Sequence, residues 1–161
     1  MRLIPLLLIL SAFLSPVMAD SPPDSVDFRL DAHRWEHRLL VVFAPSDTAD
    51  AGTVQRDAFD DREAGFRDRD LLLLFLEGEA AAGQLLDAPG QEPKPLTEAA
   101  VRRLYDHFGV PTDAFRVVLV GKDGTEKRRD AEPVSARSIF DTIDAMPMRQ
   151  REMRDSSDEG M

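Results

Sequence analysis

Leu39-Leu40-Val41-Val42-Phe43-Ala44 decides the fold class. A strand with one wet face alternates apolar and polar residues, and this run does not alternate. A short continuous apolar run fits a strand covered on both faces, as in a parallel sheet packed under helices. Two further runs read the same way, Leu71 to Leu76 and Val117-Val118-Leu119-Val120. Each is short for a buried helix and is bounded by proline, glycine or charge.

The segments between and after these strands carry helical signals. Thr97 stands as an N-cap before Val101, Leu104, Tyr105 and Phe108, which repeat at i, i+3, i+4 and i+7. Gly109 follows where a left-handed helix stop belongs, with Pro111 just beyond. A second helix is expected from Ser135 to Ala145, with Ile139, Phe140, Ile143 and Met146 on one stripe and Pro147 as the stop. A third is expected between Ala49 and Phe66, where Val54, Ala58 and Phe59 form a thin apolar face on a heavily charged outer surface. Asp123-Gly124 is a two-residue hairpin signal leading into a polar strand near Thr125–Arg129, which belongs at a sheet edge. Gly78 to Pro95, rich in Ala, Gly and Pro, reads as a surface loop or a partly helical connection. The resulting order is β-α-β-α-β-β-α. It predicts an α/β fold with a central mixed sheet flanked by helices, and it matches the thioredoxin-like arrangement.

The chain has 161 residues, a formal net charge of -10 and no cysteine. Without a thiol there is no disulfide framework, no cysteine zinc site, no iron–sulfur cluster and no thiol catalysis. Its acidity argues against binding nucleic acid phosphates. Lys127-Arg128-Arg129 is too small a basic cluster to reverse that. At the N-terminus, Met1-Arg2 precedes an almost wholly apolar stretch from Leu3 to Leu14, then Ser15-Pro16 and Val17-Met18-Ala19. This is the pattern of a secretory signal peptide cut after Ala19, and it is too short to span a bilayer. The expected organisation is a signal peptide at 1–19, a flexible lead-in at 20–29, one domain at 30–148 and a charged, frayed tail at 149–161. The expected location is exported, periplasmic or extracellular, with no membrane association after cleavage.

Three segments and one longer motif carry a family resemblance. Trp35 and Arg38 precede the first run and its Pro45, Arg69-Asp70 opens the second, and Val120-Gly121-Lys122-Asp123-Gly124 closes the third. The most specific is Ile143-Asp144-Ala145-Met146-Pro147-Met148-Arg149-Gln150-Arg151-Glu152-Met153. Together they resemble the DUF4174 family of exported bacterial proteins, which is similar to domains of animal matrix proteins of the sushi-repeat and coiled-coil-domain-containing type. The resemblance covers about Leu30 to Met153. It implies a thioredoxin-like fold and export, and it implies no reaction.

Phe43-Ala44-Pro45 resembles the strand end that leads into a thioredoxin active site, where two cysteines usually open the next helix. A helix N-terminus there would lower a thiol pKa. This chain has Ser46-Asp47-Thr48-Ala49-Asp50 instead, residues suited to capping a helix and unable to exchange disulfides. Val110-Pro111-Thr112 resembles the cis-proline segment of that fold, but Asp113-Ala114-Phe115 separate it from the strand. His33 and His37 have helical i, i+4 spacing and read as ordinary exposed histidines rather than metal ligands. Asp57, Asp60, Asp61, Asp68 and Asp70 lack a calcium-loop spacing and alternate with arginines, as on a solvated, ion-paired face.

No catalytic residue, metal ligand or cofactor is assigned from the sequence. The binding candidates are Trp35, Arg38, Asp47, Arg69, Lys122 and Arg149, with Trp35 expected to serve mainly in packing. The favoured function is a non-catalytic protein-binding or structural module. Another protein would be its partner, docking at the former active-site edge or on the basic segment around Arg149. The alternative is a periplasmic enzyme or redox accessory using non-thiol groups at that edge.

Overall fold

A computed structural model describes residues 24–45, 49–77 and 82–159. The signal segment and Ser46, Asp47 and Thr48 lie outside the described residues. After a single 3₁₀ turn at Leu30–His33, the chain forms β1 (Arg38–Ala44), α1 (Ala49–Asp57), α2 (Glu63–Asp68) and β2 (Leu71–Glu77). It continues through β3 (Ala82–Leu86), β4 (Lys94–Pro95), α3 (Glu98–Phe108), β5 (Arg116–Val120), β6 (Glu126–Asp130), α4 (Ala136–Asp144) and α5 (Pro147–Glu159). The six strands make one mixed sheet in the order β4-β3-β2-β1-β5-β6. Strand β1 is central, parallel to β2 and antiparallel to β5. The fold is therefore α/β, with a mixed sheet flanked by helices.

The unbroken apolar runs are explained by burial on both faces. Leu39, Val41 and Phe43 pack with Leu72, Leu74 and Leu76 under α3, through Val101, Leu104, Tyr105 and Phe108. Leu40, Val42 and Ala44 face the other way, with Leu73 and Phe75 beneath Phe59, Phe66, Ile139 and Ile143 of the opposite helical layer. Every residue of β1 is buried. Helix α3 starts and stops at its sequence signals: the Thr97 side chain accepts from Ala100 N–H, and Gly109 adopts φ 58° at the C-cap. Ser135 caps α4 by accepting from Ser138 N–H. The polar strand β6 lies at the sheet edge, as expected.

Five expectations need correction. The Gly78–Pro95 connection contributes strands β3 and β4, which extend the sheet beyond β2. Gly83 permits this because a Cβ there would lie 2.7 Å from Val101 Cγ2 and 2.8 Å from Leu76 Cδ2. The third helix divides into α1 and α2, and its register differs from the expected stripe. Val54 is 55% exposed, while Gln55 is fully buried. Gln55 closes a two-bond ring with Val134, its Nε2 donating to Val134 O and its Oε1 accepting from Val134 N–H, both at 2.8 Å. The hairpin turn is longer than two residues, closed by Gly121 N–H donating to Thr125 O at 2.9 Å. The lead-in docks from Val26, which bridges Leu96, and Phe28 is only 2% exposed in the core. Finally, the segment read as a frayed tail is helix α5, and Pro147 opens that helix instead of merely ending α4. The peptide bond before Pro111 is trans.

Candidate functional site

The first turn of α5 folds back onto the N-terminal ends of β1 and β2. There it brings Arg149 together with three more of the six candidate residues. Arg38 opens β1 and is 1% exposed. Its backbone N–H donates to Asp70 O at 2.8 Å, its Nη1 to Arg69 O at 2.8 Å, and its Nη2 to Glu152 Oε1 at 3.1 Å. Arg69 places a fork on Asp144, with Nε to Oδ1 at 3.0 Å and Nη2 to Oδ2 at 2.6 Å, and its guanidinium lies 4.5 Å from the centre of the Phe140 ring. Lys122 Nζ reaches Asp70 Oδ2 at 2.7 Å and Glu152 Oε1 at 3.0 Å. Arg149 donates from Nη1 to Asp68 O at 2.8 Å and from Nη2 to the Asp68 carboxylate, and its Nε lies 3.4 Å from Asp144 Oδ1.

These contacts link Arg38, Arg69, Lys122 and Arg149 with Asp68, Asp70, Asp144 and Glu152 in one continuous network. Bidentate and charge-assisted bonds are the stronger class of hydrogen bond, and here they are partly shielded from water. Burial pushes the Asp144 carboxyl up, but its bonds to Arg69 and Arg149 outweigh that and hold it below the usual carboxylate range. Burial also raises Glu152, while Arg38 and Lys122 lower it further, with the same net direction. Both acids are therefore fixed anions at neutral pH. Among the described residues, two buried atoms of the network have no hydrogen-bond partner, Arg38 Nε and Glu152 Oε2.

The Arg149 side chain consequently turns into the network and away from solvent. It is 7% exposed and tied to the α2–β2 corner. Asp68 and Asp70 belong to this corner rather than to a fully solvated face. Arg67–Glu63 is an i,i+4 surface pair of the kind expected on a helix, whereas Arg56 pairs across to Glu77 at the end of β2.

Trp35 behaves in the opposite way to the packing role expected of it. It is 61% exposed. Its backbone adopts φ 71°, a left-handed conformation that bulky residues rarely take, and its N–H donates to Lys122 O at 2.6 Å. The Arg34 guanidinium lies 5.6 Å from its ring centre. The indole is thus presented beside the ion network without being buried by it. Asp47 lies outside the described residues, and Asp50 is an exposed residue of the first turn of α1.

His33 stacks on Phe28 with ring centroids 4.6 Å apart, and His37 meets it edge-on at 5.5 Å. Burial, then the neighbouring His37, pushes His33 below the usual histidine range. Among the described residues no cluster of three or more His, Asp or Glu is arranged to hold a metal.

Between the β5–β6 turn and the start of α5 lies a cleft of about 350 Å³. Arg38, Lys122, Lys127 and Arg151 give it positive groups, Asp123 a negative one, and Met146, Pro147 and Met148 an apolar wall. Sequence reasoning gave no site role to Asp144, Arg151 or Glu152, although all three stand within the Ile143–Met153 motif. Lys127 figures there only in the small basic cluster Lys127-Arg128-Arg129.

Among the described residues no helix is long and apolar enough to cross a membrane. No solved structure matches the chain at a significant level. The chain is 30% identical to coiled-coil domain-containing protein 80 of Danio rerio, over 88% of its own length and 17% of that protein. It is 22% identical to sushi repeat-containing protein SRPX2 of Xenopus laevis, over 86% of its own length and 30% of that protein. The chain thus spans less than a third of either relative. The model of DUF4174, a domain of unknown function, matches residues 29–152, from just before the 3₁₀ turn to the glutamate that completes the ion network. The chain belongs to the DUF4174 family.

Proposed function

We propose that this chain is an exported, non-catalytic binding module whose contact surface centres on Trp35 and takes another protein as partner. The observation that carries this reading is the exposed indole on a left-handed backbone. Such a conformation costs on the order of 1 kcal/mol for a residue with a Cβ, and burial of the ring in the monomer does not offset it. Conformations of that kind persist where surrounding structure enforces them, and they concentrate at functional positions. Here the enforcing contact is Lys122 O, itself held by the ion network. Tryptophan is also among the residues that most often anchor protein interfaces.

The network supports a non-catalytic role. General acid–base chemistry works best with a pKa near the operating pH, whereas Asp144 and Glu152 are held low by their cation partners. The β2-β1-β5-β6 part of the sheet supports a thioredoxin-like frame, carried here without thiols. Export rests on the Met1–Ala19 pattern.

The test is site-specific photo-cross-linking in cells that make the protein, with a benzophenone amino acid at position 35 or, as an equally exposed control, at Val54. The reading predicts an adduct of discrete mass from position 35 that excess unlabelled protein suppresses, and none from position 54. No adduct at 35, or equal adducts at both positions, would overturn it.

A further inference from the structure

We infer that the cleft between the β5–β6 turn and the first turn of α5 binds the carboxylate of a small organic acid. The inference is independent of the protein partner assigned to Trp35. The charge balance of the corner supports it. Five of its cations each have a carboxylate of their own: Arg38 with Glu152, Arg69 with Asp144, Lys122 with Asp70, Lys127 with Asp123, and Arg149 with Asp68. Arg151 lines the same cleft, is exposed and makes no ion pair among the described residues. Among the four cations that line the cleft, Arg151 is therefore the one left in surplus, which matches a monoanion better than a phosphate dianion placed beside Asp123.

Two donor groups add to that charge. Arg38 lines the cleft and is 1% exposed, yet its Nε has no partner. Guanidinium groups match carboxylates through paired N–H donors. The N-terminus of α5 also borders the cleft, and its first backbone bond is donated by Gln150 N–H to Met146 O at 3.0 Å. The N–H groups of Met148 and Arg149 precede that bond, at the end of a helix where anions are favoured. Met146, Pro147 and Met148 supply an apolar wall for the body of the acid. A cleft of about 350 Å³ lies at the small end of ligand-site volumes. The Glu152 carboxylate lies behind Arg38 and opposes an anion, and Arg38 and Lys122 already neutralise it.

Isothermal titration of the full mature chain with sodium hexanoate tests this, with hexylamine and inorganic phosphate as comparison probes. The expected result is hexanoate binding with a dissociation constant on the order of 1 mM, far weaker binding of phosphate, and none of hexylamine. Arg151→Glu should leave the melting curve unchanged, because Arg151 has no ion pair to lose among the described residues, and should weaken hexanoate about tenfold or more. Arg151→Lys should recover part of the loss. The inference is overturned if hexanoate does not bind, if phosphate binds as well, or if Arg151→Glu leaves hexanoate affinity intact.

Discussion

Replacing Glu152 with Gln tests whether the α5 network is part of the folded core. The substitution keeps the side chain's size and removes its charge. Arg38, 1% exposed, would then retain Arg69 O as a partner but lose its carboxylate. Lys122 would keep Asp70, and Arg149 would keep Asp68. Removing one partner of a buried ion pair costs about 3–5 kcal/mol. Glu152 is a quarter exposed, so water and the remaining amide dipole recover part of this. The expected loss is about 2–4 kcal/mol, with a melting temperature lower by about 10 °C for a chain of this length. Urea unfolding followed by far-ultraviolet circular dichroism measures it, and an unchanged denaturant slope would locate the effect in stability. Replacing the pair together, Arg38→Met with Glu152→Leu, should recover most of the loss, because apolar groups of similar volume often substitute for a buried pair without cost. A Glu152→Gln protein within about 0.5 kcal/mol of wild type, the usual range for surface changes, would refute the reasoning.

Other expected outcomes follow from the same geometry. Truncation after Met153 should be nearly neutral by thermal melting, whereas truncation after Ala145 should unfold or severely destabilise the chain, since it removes both Arg149 and Glu152. Asp144 and Glu152 have folded pKa values below their unfolded values of about 3.8 and 4.5. Their stabilisation is therefore present above the unfolded pKa and lost as pH falls through the folded one. An acid titration of the melting temperature should show a fall below about pH 4 that flattens in an Asp144→Asn, Glu152→Gln protein. Gln55→Ala leaves the partly buried Val134 amide and carbonyl without their partners and should cost about 1–3 kcal/mol in urea unfolding. Gly109→Ala, at φ 58°, should cost about 1 kcal/mol by the same method.

Much of this frame was legible because its signals are local. The three apolar runs, the Thr97 cap and the Gly109 stop each depend on residues within one or two turns of chain. Val54 and Gln55 show where local reading fails. A stripe drawn through Val54, Ala58 and Phe59 assumes one continuous helix, but the chain leaves α1 at Asp57, and the buried position falls to a glutamine whose partner is in the segment before α4. Strands β3 and β4 were illegible for a related reason. One contains Gly83 and the other is two residues ending in Pro95, so neither shows a periodic pattern, and sheet pairing alone defines them. Arg38 and Glu152 are separated by 114 positions, so no spacing rule could join them. The motifs marked Arg38, Arg69, Lys122 and Arg149 as a set without disclosing that their acids were Asp68, Asp70, Asp144 and Glu152. Trp35 departs from the packing expected of a tryptophan beside a central strand, and its left-handed backbone accompanies a tertiary hydrogen bond to the Lys122 carbonyl that no local pattern shows.

Trp35 is the chain's only tryptophan, so its fluorescence reports the proposed contact surface without interference. The most direct measurement is iodide quenching of that emission in the free protein and again with the partner identified by cross-linking at position 35. The account predicts solvent-exposed, readily quenched emission in the free protein, and a blue-shifted emission protected from iodide in the complex. An indole already protected in the free protein, or one equally accessible to iodide in the complex, would contradict a binding surface centred on Trp35.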